Sequence, residues 1–456
     1  MAVHRTTKGL DIPLAGEPLQ AIEPAAPSPR VAVVGADFIG LKPTLLVQPG
    51  DTVRRGQPLL VDKKAPGVVH TAPAAGIVAA VHRGEMRAFQ SLVIDVADDE
   101  GPDSQVAFAG FTGRAPAELD AAAVRALLVE SGMWTAFRTR PYSKVPAADA
   151  VPHAIFVTAM DTRPHAPAVE VVLAGREADF HAGLAAVARL CPEGTWLCKA
   201  EGSGVGAPPG LPIATEEFGG PHPAGTAGLH IHLLRPIHAE RTVWHIGYQD
   251  VAAIGRLFAT GRLDVDRVVS LAGPGVVRPR LLRTRLGASL DALTHGELAP
   301  GEQRVISGSA LDGRAAAGEV FGYLGRYHQQ VAVVPEGRER QLFGYIAPGR
   351  DKFSIWGVTL GAWARGRRLP LTTSTNGGRR AMVPIGAYER VMPFDLMPTF
   401  LLRALITGDV ERAEALGCLE LDEEDVALCT FVCPGKIEYG PLLRAMLTQL
   451  EKEHHG

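Results

Sequence analysis

Between Glu130 and Pro146 the chain reads Glu-Ser-Gly-Met-Trp-Thr-Ala-Phe-Arg-Thr-Arg-Pro-Tyr-Ser-Lys-Val-Pro. Six of these residues are equipped for recognition. Arg138 and Arg140 carry planar guanidinium forks that match a carboxylate or a phosphate, and Lys144 adds a compact cation. Trp134, Phe137 and Tyr142 offer flat apolar faces on which a ring stacks or a protein partner anchors. An ordinary connecting loop is rich in Gly, Ser and Asp instead. The segment reads as a ligand or partner surface, or as a core-covering loop with solvated arginines. No general base or activated nucleophile stands out, and no catalytic residue is assigned.

Three other motifs carry the residue types of chemistry without its spacing. Val31-Ala-Val-Val-Gly-Ala-Asp-Phe-Ile-Gly40 approaches a dinucleotide fingerprint, but Asp37 stands where the middle glycine must let backbone meet pyrophosphate. Pro43 opposes the helix that should follow, and Lys42 is displaced from its place in a phosphate loop, so both nucleotide readings are rejected. His230 and His232 are two apart, which on a strand puts them on one face, with His222 or His245 as a third metal ligand. No cysteine or carboxylate supports them locally, and no metal site is assigned. Cys429 and Cys433, with Cys418 upstream, cannot supply the four thiolates of a cubane cluster and read as structural.

With Phe218-Gly-Gly-Pro-His-Pro-Ala-Gly-Thr-Ala-Gly-Leu-His-Ile-His232 and Thr242-Val-Trp-His-Ile-Gly-Tyr-Gln-Asp250, the Glu130 to Pro146 segment resembles the A subunit of the sodium-translocating NADH:quinone oxidoreductases, the NQR complexes. The resemblance spans essentially the whole chain. The C subunit of Rnf-type complexes and the flavin-binding subunit of respiratory complex I are more distantly similar. In those relatives a Gly-rich loop at this position admits FMN phosphate, because glycine has no Cβ. Here only Gly132 remains, and Met133, Trp134 and Phe137 take the space. The resemblance therefore implies a chain that binds no cofactor, with NADH, flavins and iron–sulfur centres held by other subunits. It also implies a place at the quinone-reducing end, with ubiquinone as a possible ligand of Trp134, Phe137, Arg138, Arg140, Tyr142 and Lys144, or those residues as a partner surface.

The elements that must position this segment fall into four blocks, and the expected class is α/β multidomain. Residues 1–100 alternate short β-branched runs with Gly and Pro turns. Within them Gly50, Gly56 and Gly76 mark the sharp turns of a barrel-sandwich hybrid similar to biotinyl and lipoyl domains. Lys63 would be the modified residue there, but a second lysine follows and the spacing is about two residues too long, so it is expected unmodified. Residues 105–260 alternate strands and helices as a Rossmann-like domain does, including helices ending at Gly132 and Gly261. Residues 262–335 resemble the SLBB-like β-grasp module of the same relatives, with Arg278 and Arg280 as an exposed basic edge. Residues 336–456 hold Arg-rich loops and then helices, with Asp409 as a cap, Asp422 with Asp425 as a capping box, and an apolar stripe over Leu442 to Leu450.

Composition narrows the function classes. A formal net charge of -3 over 456 residues argues against nucleic-acid binding. No run approaches the roughly 18 to 20 apolar residues of a spanning helix. Five cysteines without a secretion signal suggest reduced thiols. The chain is expected at the cytoplasmic face of a bacterial inner membrane, held peripherally by partners that include a membrane-embedded subunit. The rival readings are a free-standing flavin- or biotin-dependent enzyme and a purely structural adaptor.

Overall fold

The computed structural model describes residues 2–192, 194–338, 348–363 and 366–455. Its centre is a six-stranded sheet in the order Val3–Arg5, Ile213–Gly219, Thr195–Ala200, Ile155–Ala159, Val243–Gly247, Arg138–Arg140. All neighbours are parallel except the last pair. The central strand is apolar on both faces, as a covered parallel strand must be. Ile155 and Val157 point into one core with the helices Glu177–Leu190 and Tyr248–Thr260, while Phe156 points into the other with Ala227–Leu234. The two helices of the first face touch backbone to backbone. A Cβ on Gly255 would lie 1.7 Å from the Asp179 carbonyl oxygen, so only glycine permits that crossing.

A second six-stranded sheet runs Arg314–Ala315, Gln303–Ser307, Gln330–Pro335, Asp266–Ala272, Arg280–Arg285, Leu19–Pro24, around Val269, Leu271, Leu282 and Val331. Sheets of four and three strands, from Arg30–Val34 to Phe89–Val96, close over Val31, Leu59, Leu92 and Ile94 as the barrel-sandwich. The C-terminal part packs Pro398–Thr407, Val410–Ala415, Ala427–Val432 and Tyr439–His455 around Tyr388, Phe394 and Leu401. The four architectures expected from the sequence are all present.

Several local expectations are corrected. The first 24 residues belong to other sheets: Val3–Arg5 extends the central sheet and Leu19–Pro24 the β-grasp sheet, so the barrel-sandwich strands begin at Arg30. Gly50 and Gly56 have positive φ, but Gly76 starts a strand, its missing Cβ making room for the Asp95 carbonyl. Arg280 is buried between Glu23 and Glu297, and Arg278 pairs with Glu23, so this basic edge is neutralised. Leu443, Met446, Leu447 and Leu450 face the C-terminal core and leave no apolar stripe for a partner. Of the Arg-rich loops expected after residue 336, residues 339–347 and 364–365 lie outside the described residues.

Candidate functional site

The chain order reverses across the central sheet: after Ile155–Ala159 it moves outward on one side, then returns to place Val243–Gly247 on the other. In open α/β sheets the crevice at the carboxyl ends of such a strand pair is where ligands sit. Here the β-grasp module, the barrel-sandwich and the C-terminal helices close over it. What remains is a cavity of about 300 Å³ next to a smaller one of about 70 Å³, and both are lined by Arg138, Asp161, Arg163, Tyr327, Gln329 and Glu424.

The Glu130 to Pro146 segment reaches this crevice from below. The helix Ala121–Glu130 is capped by Asp120 and ends at Gly132, whose φ of 77° favours glycine and where a Cβ would meet the Thr71 side chain at 2.4 Å. A short turn, Met133–Ala136, then leads to the edge strand Arg138–Arg140. Trp134 and Phe137 are fully buried, packed edge-on and tilted against Trp244 with centroids 5.3 to 5.6 Å apart. The Trp134 indole N–H donates to the Pro146 carbonyl at 2.9 Å. These aromatics are core and not a surface, because the helix end turns them under the sheet.

Arg140 is also buried. Its guanidinium donates to Asp425 and Glu424 at 2.8 Å each and lies 3.7 Å from Asp422, so the edge strand is bolted to the C-terminal helices. Tyr142 meets His454 at 2.9 Å, and Lys144 pairs with Glu451 on the last helix. The expected capping box is present, with Asp425 accepting from the Asp422 N–H at 2.9 Å. Opposite, Gly228 comes so close that a Cβ would sit 2.4 Å from the Asp425 carboxylate, which explains one glycine of the Phe218 to His232 motif. Of the six sequence candidates, Arg138 alone lines the cavity; its guanidinium stacks over the Tyr327 ring at 4.6 Å, and the Tyr327 hydroxyl donates to the Thr135 carbonyl at 2.8 Å.

The walls are charged, with acids in excess. Arg163 is shared among Asp161, Asp312 and Glu424. Burial pushes Asp161 and Asp37 upward, opposed by Arg163 and Arg314 respectively. Burial also pushes Asp425 up to about 6, with Arg140 opposing. The histidines are held neutral by burial: His222 and His328 down to about 3, His230 to about 4, and His245 well below its ordinary value. His230 and His232 lie on a helix, not a strand, so two residues put them on different faces. His230 contacts the Ala224 carbonyl, and His232 joins Glu420 and Asp395. No group of metal-ligating side chains forms among the described residues. All five cysteines are buried and none forms a disulfide among the described residues, Cys433 lying 3.2 Å from the Tyr388 hydroxyl.

A third cavity, about 60 Å³ and largely apolar, lies between the strand Arg30–Val34, the Gly132 turn and the β-grasp module. Phe38, Met133 and Leu324 form walls, and His70, neutral because burial and Arg326 hold it at about 3, supplies a polar edge. Sequence reasoning missed this site, and Asp37 and Tyr327, because each draws on blocks far apart in the chain.

Comparison with known proteins decides the family. Residues 4–97 match the NqrA N-terminal barrel-sandwich hybrid domain, 119–263 the NqrA second alpha/beta domain, and 268–318 the NQRA C-terminal domain. The chain is 54% identical to the NqrA protein of the Na(+)-translocating NADH-quinone reductase of Serratia proteamaculans over 98% of its own length and 99% of the relative's. The Klebsiella pneumoniae and Neisseria gonorrhoeae counterparts are 53% and 54% identical over the same shares. The chain belongs to the NqrA family of Na(+)-translocating NADH-quinone reductase subunits. As a family member it is part of the complex that catalyses NADH:quinone oxidoreduction, and other subunits of that complex are its partners. Among the described residues no helix is long and apolar enough to cross a membrane. A NAD+-reducing [NiFe]-hydrogenase shares 17% identity over 51% of this chain and 49% of its own with a TM-score of 0.35, too faint a likeness to weigh.

Proposed function

We propose that this chain is the non-redox subunit that braces the quinone-reducing end of the complex, docked at the cytoplasmic face through a membrane-embedded partner. NADH, flavins and iron–sulfur centres belong to the other subunits. The observation that carries the bracing role is the burial of Arg140 in the junction between the α/β domain and the C-terminal helices, with Trp134 and Phe137 of the same segment buried in the α/β core. A quinone ring needs apolar walls, one or two donors and a pocket of roughly 300 Å³ or more. The apolar cavity is far smaller at about 60 Å³, and the roomier one is walled by carboxylates and arginines.

The crevice does not suit a flavin either. Its switch-point mouth carries Asp161, Asp37 and Glu424, which repel a phosphate, and Met133 and Trp134 occupy the place of the Gly-rich loop. No electron-transfer step runs through this chain.

Titration of the purified chain with a short-chain ubiquinone tests the bracing role. No saturable heat is expected. In the assembled complex, Trp134→Ala with Phe137→Ala should lower quinone turnover without raising KM for quinone, and NADH oxidation by an artificial acceptor should persist. Saturable quinone binding by the chain alone, abolished by Arg138→Gln, would replace the brace with a binding site.

A further inference from the structure

Residues 348–391 expose Trp356, Val358, Leu360, Val383 and Ile385, at 44, 80, 53, 43 and 47%. Contacts join these loops to the next helix. The Arg390 guanidinium lies 4.8 Å from the Trp356 ring centre and donates to the Ile355 carbonyl at 3.1 Å, and the Thr399 hydroxyl donates to Glu389 at 2.6 Å. That helix, Pro398–Thr407, buries Leu401, Leu402 and Leu405 but leaves Met397, just before it, and Phe400 and Ile406 exposed. Single exposed apolar residues are ordinary on a protein surface; a joined group that includes a tryptophan marks an interaction face.

The same stretch is strongly basic. Its described residues carry seven Lys and Arg against two carboxylates, in a chain whose formal net charge is -3. Asp351 is taken by Arg367 and Glu389 by the Thr399 hydroxyl, so neither neutralises the exposed pair Arg379 and Arg380. Aromatic residues and arginine serve protein interfaces and lipid boundaries alike, but a one-signed cationic excess draws the face to an anionic surface. Here an arginine lies on the exposed tryptophan, and apolar and cationic groups alternate along irregular loops. That mixture matches the boundary between lipid headgroups and acyl chains, where tryptophan sits at headgroup level and arginine meets phosphate.

We propose that this face, from Trp356 through Arg379 and Arg380 to Phe400, lies on the surface of an anionic lipid bilayer. It gives the chain a direct lipid contact besides its partner contacts, and rests on the reading that the chain works peripherally at a membrane.

Flotation of the full-length chain with vesicles tests it. The chain should float with phosphatidylglycerol-containing vesicles, bind pure phosphatidylcholine far less, and lose binding as salt rises. Each basic residue near an anionic surface is worth about a fivefold change in partition, so Arg379→Gln with Arg380→Gln should reduce binding by roughly tenfold to thirtyfold. Trp356→Ala should weaken it on both vesicle types. All three changes are at exposed positions, and an unchanged unfolding midpoint checks that the fold is kept. Absence of flotation, equal binding to both vesicle types, or unaltered binding by the double variant overturns the proposal. If the double variant floats like wild type but no longer co-purifies with the membrane subunits, the face is a protein-docking surface and the lipid assignment fails. The quinone assays above are independent of this outcome.

Discussion

Replacing Arg140 by Gln should open the junction between the α/β domain and the C-terminal helices. The guanidinium is fully buried and donates to Glu424 and Asp425 at 2.8 Å, with Asp422 at 3.7 Å. Glutamine cannot reach both acids; Glu424 keeps Arg163, but Asp425 is left without a cation. Breaking a buried pair from one side costs about 3–5 kcal/mol, a large part of the roughly 5–15 kcal/mol that holds a typical domain. The reporter is built in: Trp134 and Trp244 are buried in the same segment and the strand paired to it, so intrinsic fluorescence during guanidinium unfolding follows this junction. The midpoint should fall markedly. Asp425→Asn in the Arg140→Gln background should cost much less than it does alone, because it removes a stranded charge. Strict additivity, or an Arg140→Gln loss below about 0.5 kcal/mol, the ordinary range for surface changes, would refute the bolt.

Gly255→Val should destabilise by at least the ~1–3 kcal/mol of an overpacked core, since even its Cβ would lie 1.7 Å from the Asp179 carbonyl oxygen; thermal unfolding measures it, and an unshifted midpoint would contradict the close crossing. Acid should weaken the fold through the histidines. His70, His222, His328 and His230 have folded values of about 3 to 4 against an ordinary 6.5. The unfolded chain therefore takes up protons first, and stability present above about 6.5 is lost as pH falls toward 4. Asp425 acts in the opposite direction: its folded value is raised to about 6, so its contribution fades as pH rises from about 4 through 6. Unfolding midpoints between pH 4 and 8 should peak near neutrality, and a midpoint rising steadily toward pH 4 would be inconsistent with buried neutral histidines. Intact mass should show Lys63 without a biotinyl or lipoyl adduct, because its spacing departs from the modified pattern.

The signals legible in the sequence are local ones. Gly132 and Gly261 end helices with positive φ, Asp409 caps the helix that follows it, and Asp422 with Asp425 forms the capping box. Each is written in a handful of adjacent residues. Pairing partners are not: three residues, Val3–Arg5, carry no mark of the strand some 210 positions later that they join. The alternation in Leu229-His-Ile-His suggests a strand, but a helix buried nearly all round loses its polar face and with it the 3.6-residue period. Trp134, Phe137 and Arg140 have the composition of a binding surface because a packed core beside a buried, ion-paired arginine uses the same side chains. Their partners Trp244, Glu424 and Asp425 lie about 100 to 290 residues away, so no local reading separates the two.

The most direct test of the bracing role is to remove the chain from the complex and assay the two half-reactions separately. Membranes lacking this protein should oxidise NADH with an artificial acceptor at an undiminished rate and fail to reduce ubiquinone. Added-back wild-type chain should restore quinone reduction, and Arg140→Gln chain should restore little of it. Quinone reduction that persists in its absence, or NADH oxidation that disappears with it, would contradict a non-redox brace at the quinone-reducing end.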